Sequence, residues 1–310
     1  MQNIWWFSSL LACSESKTDT GTGMLQPWNA APLSEVSGTC PTIDNSRELQ
    51  TFTSGGTERS VQFVLPTDGT ANIQPVFFFH GLMPEGSNPT NQLITGLSLQ
   101  SVADEYNIAF ILPVSGIWEL FGQRFHLWKI EQGTEDSDLM LFDDLRTCMA
   151  EHFDVFNSDA LDMDRLSTLG FSGGALFNTV ILSNRSDTLA SAVEISGGGD
   201  LTIPGFSNPF SVHNPSTMNI PVLLVSGGES DVWPDATLPV VDFESASVHL
   251  FSELQQAGQT SVHCTHNNGH TITPRAWTQA LDWLTDHSFG VESPYTSAND
   301  AWSDWCIWEE

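Results

Sequence analysis

Short apolar runs alternate with longer amphipathic stretches along most of this chain of 310 residues, and no other feature restricts its fold so strongly. Residues 60–65, 75–79, 108–112, 166–169, 190–195, 221–225 and 260–263 read as strands. Residues 91–106, 138–152, 173–183, 243–256 and 274–287 read as helices. Phe77, Phe78 and Phe79 are apolar at consecutive positions, as a strand must be when helices cover both faces of its sheet. The alternation predicts an α/β fold, a mostly parallel central sheet with helices on both faces. One domain can take up a chain of this length, and no repeat or compositional break marks a second. Residues 200–217, rich in Pro, Asn and Ser, read as an excursion bordering a functional site. Residues 296–310, with Trp302, Trp305, Cys306 and Trp308, read as a docked terminal tail.

Thirty-eight acidic residues against nine basic ones give a net charge of −29, which argues against nucleic acid as a partner because its phosphates would be repelled. A neutral substrate is tolerated by the same field. No apolar run approaches the ~18 residues of a membrane span, so a globular body is expected. The first 13 residues end in Leu10-Leu11-Ala12-Cys13 and resemble a bacterial lipoprotein signal, although no Lys or Arg precedes the apolar run. In such signals the peptide is cut before the cysteine, which carries the lipid, so Cys13 is the expected lipidation site and membrane attachment would run through it. Residues 14–39 then read as a flexible lead-in or tether, and 40–310 as the catalytic domain. Cys40, Cys148, Cys264 and Cys306 remain, an even number that fits two disulfides in an oxidising compartment, in any of three pairings. A secreted or outer-membrane, cell-surface lipoprotein is expected.

Gly170-Phe171-Ser172-Gly173-Gly174 lies between an expected strand and an expected helix, the position of a nucleophile elbow. A serine hydroxyl attacks only when a base takes its proton, so it must stand on a tight, exposed turn within reach of a histidine. Glycines two positions to either side allow strand and helix to cross closely. In this arrangement an acid and then a histidine follow the serine in the chain. Asp231 follows the strand 221–225 in Ser226-Gly227-Gly228-Glu229-Ser230-Asp231, at the carboxyl end where open α/β sheets bind ligands, with Glu229 and Asp235 as rivals. His270 follows the last strand, after Gly269 and before Pro274, and is the candidate base. The amide of Gly173 and that of Leu82, in the turn His80-Gly81-Leu82, are the candidate oxyanion donors, with His80 shaping the loop. A competing metal site from His263, Cys264, His266 and His270 lacks a second cluster to complete it, so no metal and no cofactor is expected.

The ordered set of His80-Gly81, Trp128 followed by residues 138–144, Gly170 to Gly174, Gly228 to Asp231, and Asn268-Gly269-His270-Thr271 resembles the secreted esterases of the polyhydroxybutyrate depolymerase and feruloyl esterase group. The similarity spans roughly residues 59–283. It implies an α/β-hydrolase fold, a Ser172, Asp231 and His270 triad, no metal, and hydrolysis of carboxylic esters through an acyl-enzyme. Asn268 stands where that group usually has glycine, and Leu82-Met83-Pro84 replaces smaller or polar residues, so the acyl pocket departs from the group's pattern. Trp118, Trp128 and Trp233 are candidates for an aromatic wall against an aryl or polymeric ester, although core packing is the ordinary fate of tryptophan. The expected activity is that of an exported serine carboxylesterase acting on neutral esters, either polyhydroxyalkanoate and other polyester oligomers or feruloyl-type esters. The alternatives are a serine peptidase of the same fold and a catalytically inactive surface binding protein.

Overall fold

The computed structural model describes residues 30–69, 71–120, 122–130, 137–156, 160–199, 218–234, 241–295, 302 and 304–308. The expected signal with Cys13, the excursion 200–217 and the rival acid Asp235 lie outside them. The first half contains β1 (Gln50–Ser54), β2 (Thr57–Val64), β3 (Gln74–Phe79), β4 (Met83–Pro84), α1 (Pro89–Gly96), α2 (Leu99–Tyr106), β5 (Ile108–Val114), β6 (Ile117–Leu120), β7 (Gln123–His126) and α3 (Ser137–His152). The second contains β8 (Ser167–Phe171), α4 (Gly173–Arg185), β9 (Ser191–Ile195), β10 (Val222–Ser226), β11 (Val232–Trp233), β12 (Val241–Asp242), α5 (Phe243–Gln256), β13 (Ser261–Thr265), α6 (Pro274–Thr285) and β14 (Cys306–Trp308).

A nine-stranded sheet runs in the order β1-β2-β5-β3-β8-β9-β10-β13-β14. From β5 to β13 every pairing is parallel, and the antiparallel strands β1, β2 and β14 lie outside that block. This is the mostly parallel sheet expected. Helices α1, α2 and α6 bury Ile94, Leu99, Val102 and Ala280 on one face, while α3, α4 and α5 bury Phe142, Phe177 and Leu250 on the other. Phe77 and Phe79 join the second layer and Phe78 the first, which explains the unbroken apolar run. Since the central strands are parallel, the turns after β3, β8, β10 and β13 all emerge at one edge. That edge carries the site.

The structure differs from the sequence reading in several places. The helix expected over 91–106 is two, because Ser98 takes a left-handed φ of 52° between α1 and α2 and redirects the chain, so that both helices bury apolar residues. The hairpin strand β1 was not expected, since its alternating, half-exposed sequence carries little apolar signal; it joins β2 through Gly55 and Gly56, both at positive φ. A small sheet of order β4-β7-β6 was also missed, its strands being only two to four residues long and mostly exposed, too short to show a periodicity. Residues 31–39, expected as part of a tether, are docked instead. Ser37 donates from its amide and hydroxyl to Asp144 of α3, Thr147 donates to Ser34 O, and Thr39 N–H donates to Thr53 O. The short polar side chains that resemble a linker in composition here supply hydrogen bonds.

Of the three disulfide pairings open to the sequence, the structure has Cys40–Cys148 and Cys264–Cys306. The first fastens the segment before β1 to α3. Its ends are 108 residues apart, a loop whose closure restricts the unfolded chain by roughly 4–5 kcal/mol. The second joins cross-strand partners of β13 and β14 and so anchors the tail beside the strand that leads to His270. Of the expected tail, residues 302 and 304–308 are described, and Trp302 packs on Tyr295 and Trp283 at centroid distances of 5.0 and 5.9 Å.

Candidate active site

Strand β8 ends at Phe171 and α4 starts at Gly173, so Ser172 alone makes the turn between them. Its φ of 56° and ψ of −124° are disfavoured for an L residue. Ser172 N–H donates to Ile195 O at 3.0 Å, and its carbonyl accepts the amides of Ala175 and Leu176, so neighbouring structure holds the strained residue in place. The glycine spacing has a steric cause. A Cβ on Gly170 would stand 2.5 Å from Ala175 Cα, and one on Gly174 would stand 2.0 Å from Phe79 O.

His270 Nε2 lies 2.9 Å from Ser172 Oγ, and its Nδ1 lies 2.7 Å from Asp231 Oδ1. Asp231 is 0% exposed, and its second oxygen accepts Ser196 O–H at 2.8 Å and Gly227 N–H at 2.7 Å. Three donors thus converge on one buried carboxylate and fix its orientation. Nδ1–H donated to that carboxylate leaves the Nε2 lone pair for the serine proton. The loops carrying the two residues are locked together by Gly269 N–H donating to Gly227 O at 2.9 Å, a contact so close that a Cβ on Gly227 would stand 2.1 Å from Gly269 O. Asp231 is turned inward by its own amide, which donates to Gly228 O at 2.7 Å, whereas Glu229 is exposed.

The turn His80-Gly81-Leu82 lies against this line. A Cβ on Gly81 would stand 3.1 Å from Ser172 Cβ, and one on Gly173 would stand 3.3 Å from Leu82 N, so the two candidate donor residues are neighbours beside the serine. Gly173 opens α4, where the first amides have no acceptor within the helix. His80 is buried beneath the turn. Ser115 N–H donates to its Nε2, Nδ1–H donates to Gly81 O at 2.7 Å, and burial pushes the imidazole down to about 3 despite that bond. It stays neutral and shapes the loop.

Trp128 requires a correction, for it does not line a substrate wall. It is 1% exposed, stacked on Phe177 with centroids 4.8 Å apart, and its indole N–H donates to His80 O at 2.8 Å. Its large ring gains more from the core, where its one polar group finds an acceptor, than from solvent. Trp118 is 44% exposed on β6, in the small sheet that follows the carboxyl ends of β3 and β5. Trp233 is half-buried on β11, packed against the core layer that includes α5. The competing metal reading also fails on positive grounds. Cys264 is bonded to Cys306, His263 Nε2 pairs with Ser226 Oγ at 2.8 Å, and His270 faces Ser172 and Asp231.

Sequence reasoning missed three residues at the site. Ser196, at φ 52°, holds Asp231. Its position directly after a buried strand and before three glycines was a usable signal. Phe171 and Phe243 stack on the two faces of the His270 ring, a convergence with no local signature.

Beneath the turn after β9 lies a second buried acid, Glu194, whose carboxyl is pushed up from 4.5 to about 8 by burial, against hydrogen bonds to Thr179 and Gly198. Thr179 Oγ lies 2.9 and 3.0 Å from the two carboxyl oxygens and 3.0 Å from Gly198 O, while Gly198 N–H donates to Oε2. A neutral carboxyl satisfies all of them: it donates to Thr179, which donates to Gly198 O. Because the folded state holds this proton more tightly than the unfolded one, stability is full below pH ~4.5 and falls by up to ~1.4 kcal/mol per pH unit until about pH 8. Glu194→Gln keeps the bonding pattern and removes the titration. Its melting temperature relative to wild type is expected to rise between pH 5 and pH 8.5; a difference independent of pH would refute the account.

No protein-family model matches the chain, and no curated protein sequence does. Solved structures do. Native sOPH superposes with a TM-score of 0.62 at 19% identity, covering 88% of this chain and 97% of its own. A pOPH variant in complex with DMSO gives 0.60 at 18% identity, covering 91% and 96%. A thermostable esterase gives 0.53 at 16% identity, covering 78% and 63%. Together with the parallel sheet, its two helical layers and the serine turn between β8 and α4, these likenesses establish that the chain has the α/β-hydrolase fold.

Proposed function

We propose that this protein is a serine hydrolase of carboxylic esters working through an acyl-enzyme. The observation that carries the reading is the hydrogen-bonded line from Ser172 Oγ through His270 to the buried Asp231. Ser172 Oγ bonds to the ester carbonyl carbon as its proton passes to His270 Nε2. The carbonyl oxygen becomes an oxyanion and is held by the amides of Gly173 and Leu82. Collapse of this intermediate breaks the bond to the alcohol, which leaves with the proton from His270. Water then gives a proton to the same nitrogen, attacks the acyl-enzyme, and releases the acid while Ser172 regains its hydrogen. Asp231 stays ionised throughout and faces the imidazolium.

A net charge of −29 is compatible with neutral substrates, and the sequence resemblance favours polyester oligomers or feruloyl-type esters, for which Trp118 and Trp233 are the proposed aromatic contacts. One solved structure of the same fold is named an esterase. The two disulfides suit an oxidising compartment, so the reading extends to export and anchoring through Cys13. An unmodified N-terminal peptide in the mass spectrum of the exported protein would remove the anchor.

The test is a panel of p-nitrophenyl esters of increasing acyl length with feruloyl, hydroxybutyrate and aromatic polyester substrates, run beside matched amides. Ester cleavage and fluorophosphonate labelling of Ser172 are expected. Loss of both would return the protein to the class of binding proteins, and equal turnover of amides would make it a peptidase.

A further inference from the structure

We propose that Phe171 and Phe243 form an aromatic clamp that positions His270 and stabilises the charge it carries during turnover; the inference rests on the ester-hydrolase reading above. The His270 ring lies between the two phenyl rings, 5.0 Å from Phe171 with 26° between planes and 4.5 Å from Phe243 with 18°. Both faces are covered, so the imidazole meets its polar partners only through its edge, at Nδ1 and Nε2. Rotation about Cβ–Cγ would drive the ring into a phenyl wall. The clamp thus resists the motion that would break both hydrogen bonds together.

Each wall is tied to one of the residues His270 must meet. Phe171 precedes Ser172 at the end of β8. Phe243 donates its amide to Asp231 O at 2.9 Å and opens α5, whose N-cap Asp242 accepts Ser245 N–H at 3.0 Å. Phe243 is 3% exposed, so its ring has no alternative place. Any shift of the loop carrying Asp231 therefore takes one wall with it, and the imidazole, carboxylate and clamp keep one geometry.

The energetic part follows from the face-on stacking. A cation within ~6 Å of an aromatic centroid is attracted by the negative face of the ring. His270 carries the extra proton only on the way to and from each tetrahedral intermediate, so this attraction strengthens between bound substrate and transition state. An interaction of that kind acts on kcat and leaves KM largely alone.

The test compares Phe243→Leu with wild type, normalising kcat to the number of serines labelled by a fluorophosphonate so that misfolded molecules drop out. A ~3- to 10-fold fall in kcat per labelled site is expected, with KM unchanged and the acid limb of the kcat/KM profile moved to lower pH. Phe171 is half-buried, so Phe171→Leu and Phe171→Tyr repeat the comparison where a hydroxyl can reach solvent, and only the leucine variant should lose rate. Wild-type kcat per labelled site in both leucine variants, with an unmoved pH profile, would overturn the clamp and leave the hydrolase reading standing. So would a tyrosine variant as slow as the leucine one. A wild-type protein that neither turns over esters nor labels would remove the hydrolase reading, and the clamp with it.

Discussion

Replacing Ser172 with alanine is expected to lower ester hydrolysis by ~10⁴-fold or more and to abolish fluorophosphonate labelling, while the melting temperature moves by only a few degrees. The oxygen is the only atom lost. It is the group that would bond to the acyl carbon, and His270 Nε2, 2.9 Å away, then has no proton to take. Some acceleration over water should survive, because the proposed oxyanion donors, the amides of Gly173 and Leu82, are unchanged by the substitution. The fold should tolerate the change. Backbone strain at φ 56° exists with either residue, and the amide bond to Ile195 and the two helix bonds to the Ser172 carbonyl do not involve the side chain. The measurements are kcat/KM on a p-nitrophenyl ester and a thermal melt. Wild-type turnover in the alanine variant would eliminate Ser172 as nucleophile.

Asp231→Asn should lower kcat by about 10⁴-fold with little volume change, because an amide cannot serve three donors. The carboxylate accepts from His270 Nδ1, Ser196 Oγ and Gly227 N, two of them on one oxygen. If the amide oxygen faces Ser196 and Gly227, its NH₂ points at Nδ1, which must then accept. The imidazole proton moves to Nε2, and the base faces Ser172 with its lone pair gone. If the amide is reversed, its NH₂ opposes the Gly227 amide in a fully buried place, a mismatch worth ~1–3 kcal/mol of stability. Activity within tenfold of wild type would show that Asp231 does not set the tautomer. Ser196→Ala should act in the same direction but more weakly, since Gly227 N–H continues to hold Oδ2.

Ser172, His270 and Asp231 stood out in the sequence because each occupies a locally recognisable place: a glycine-flanked turn, a Gly-His loop, and an acid beyond a buried strand. Their partners were harder to see. Ser196 sits at an equally suitable strand end, yet its hydroxyl matters only because β9 and β10 are neighbours and Asp231 folds back between them. Phe243 reads as the apolar first residue of an amphipathic helix. Nothing local says that the residue opening α5 will cover the face of a histidine from the loop after β13.

Trp128 shows the same limit from the other side. Composition and spacing cannot tell a tryptophan that meets a ligand from one that stacks on Phe177 and holds a backbone carbonyl, because the outcome depends on what lies above its ring.

The sequence by itself determined the class of fold, the strands and helices of its parallel core, and the chain order of serine, acid and histidine, since burial on one or both faces and the backbone freedom of glycine are written residue by residue. Tertiary structure alone decided the pairings Cys40–Cys148 and Cys264–Cys306, the inward turn of Trp128, the docking of residues 31–39 and the phenyl walls around His270. The reason is distance along the chain. Ser172 and His270 are 98 residues apart, and contacts of that span are set by the order in which strands join a sheet, which no local pattern records.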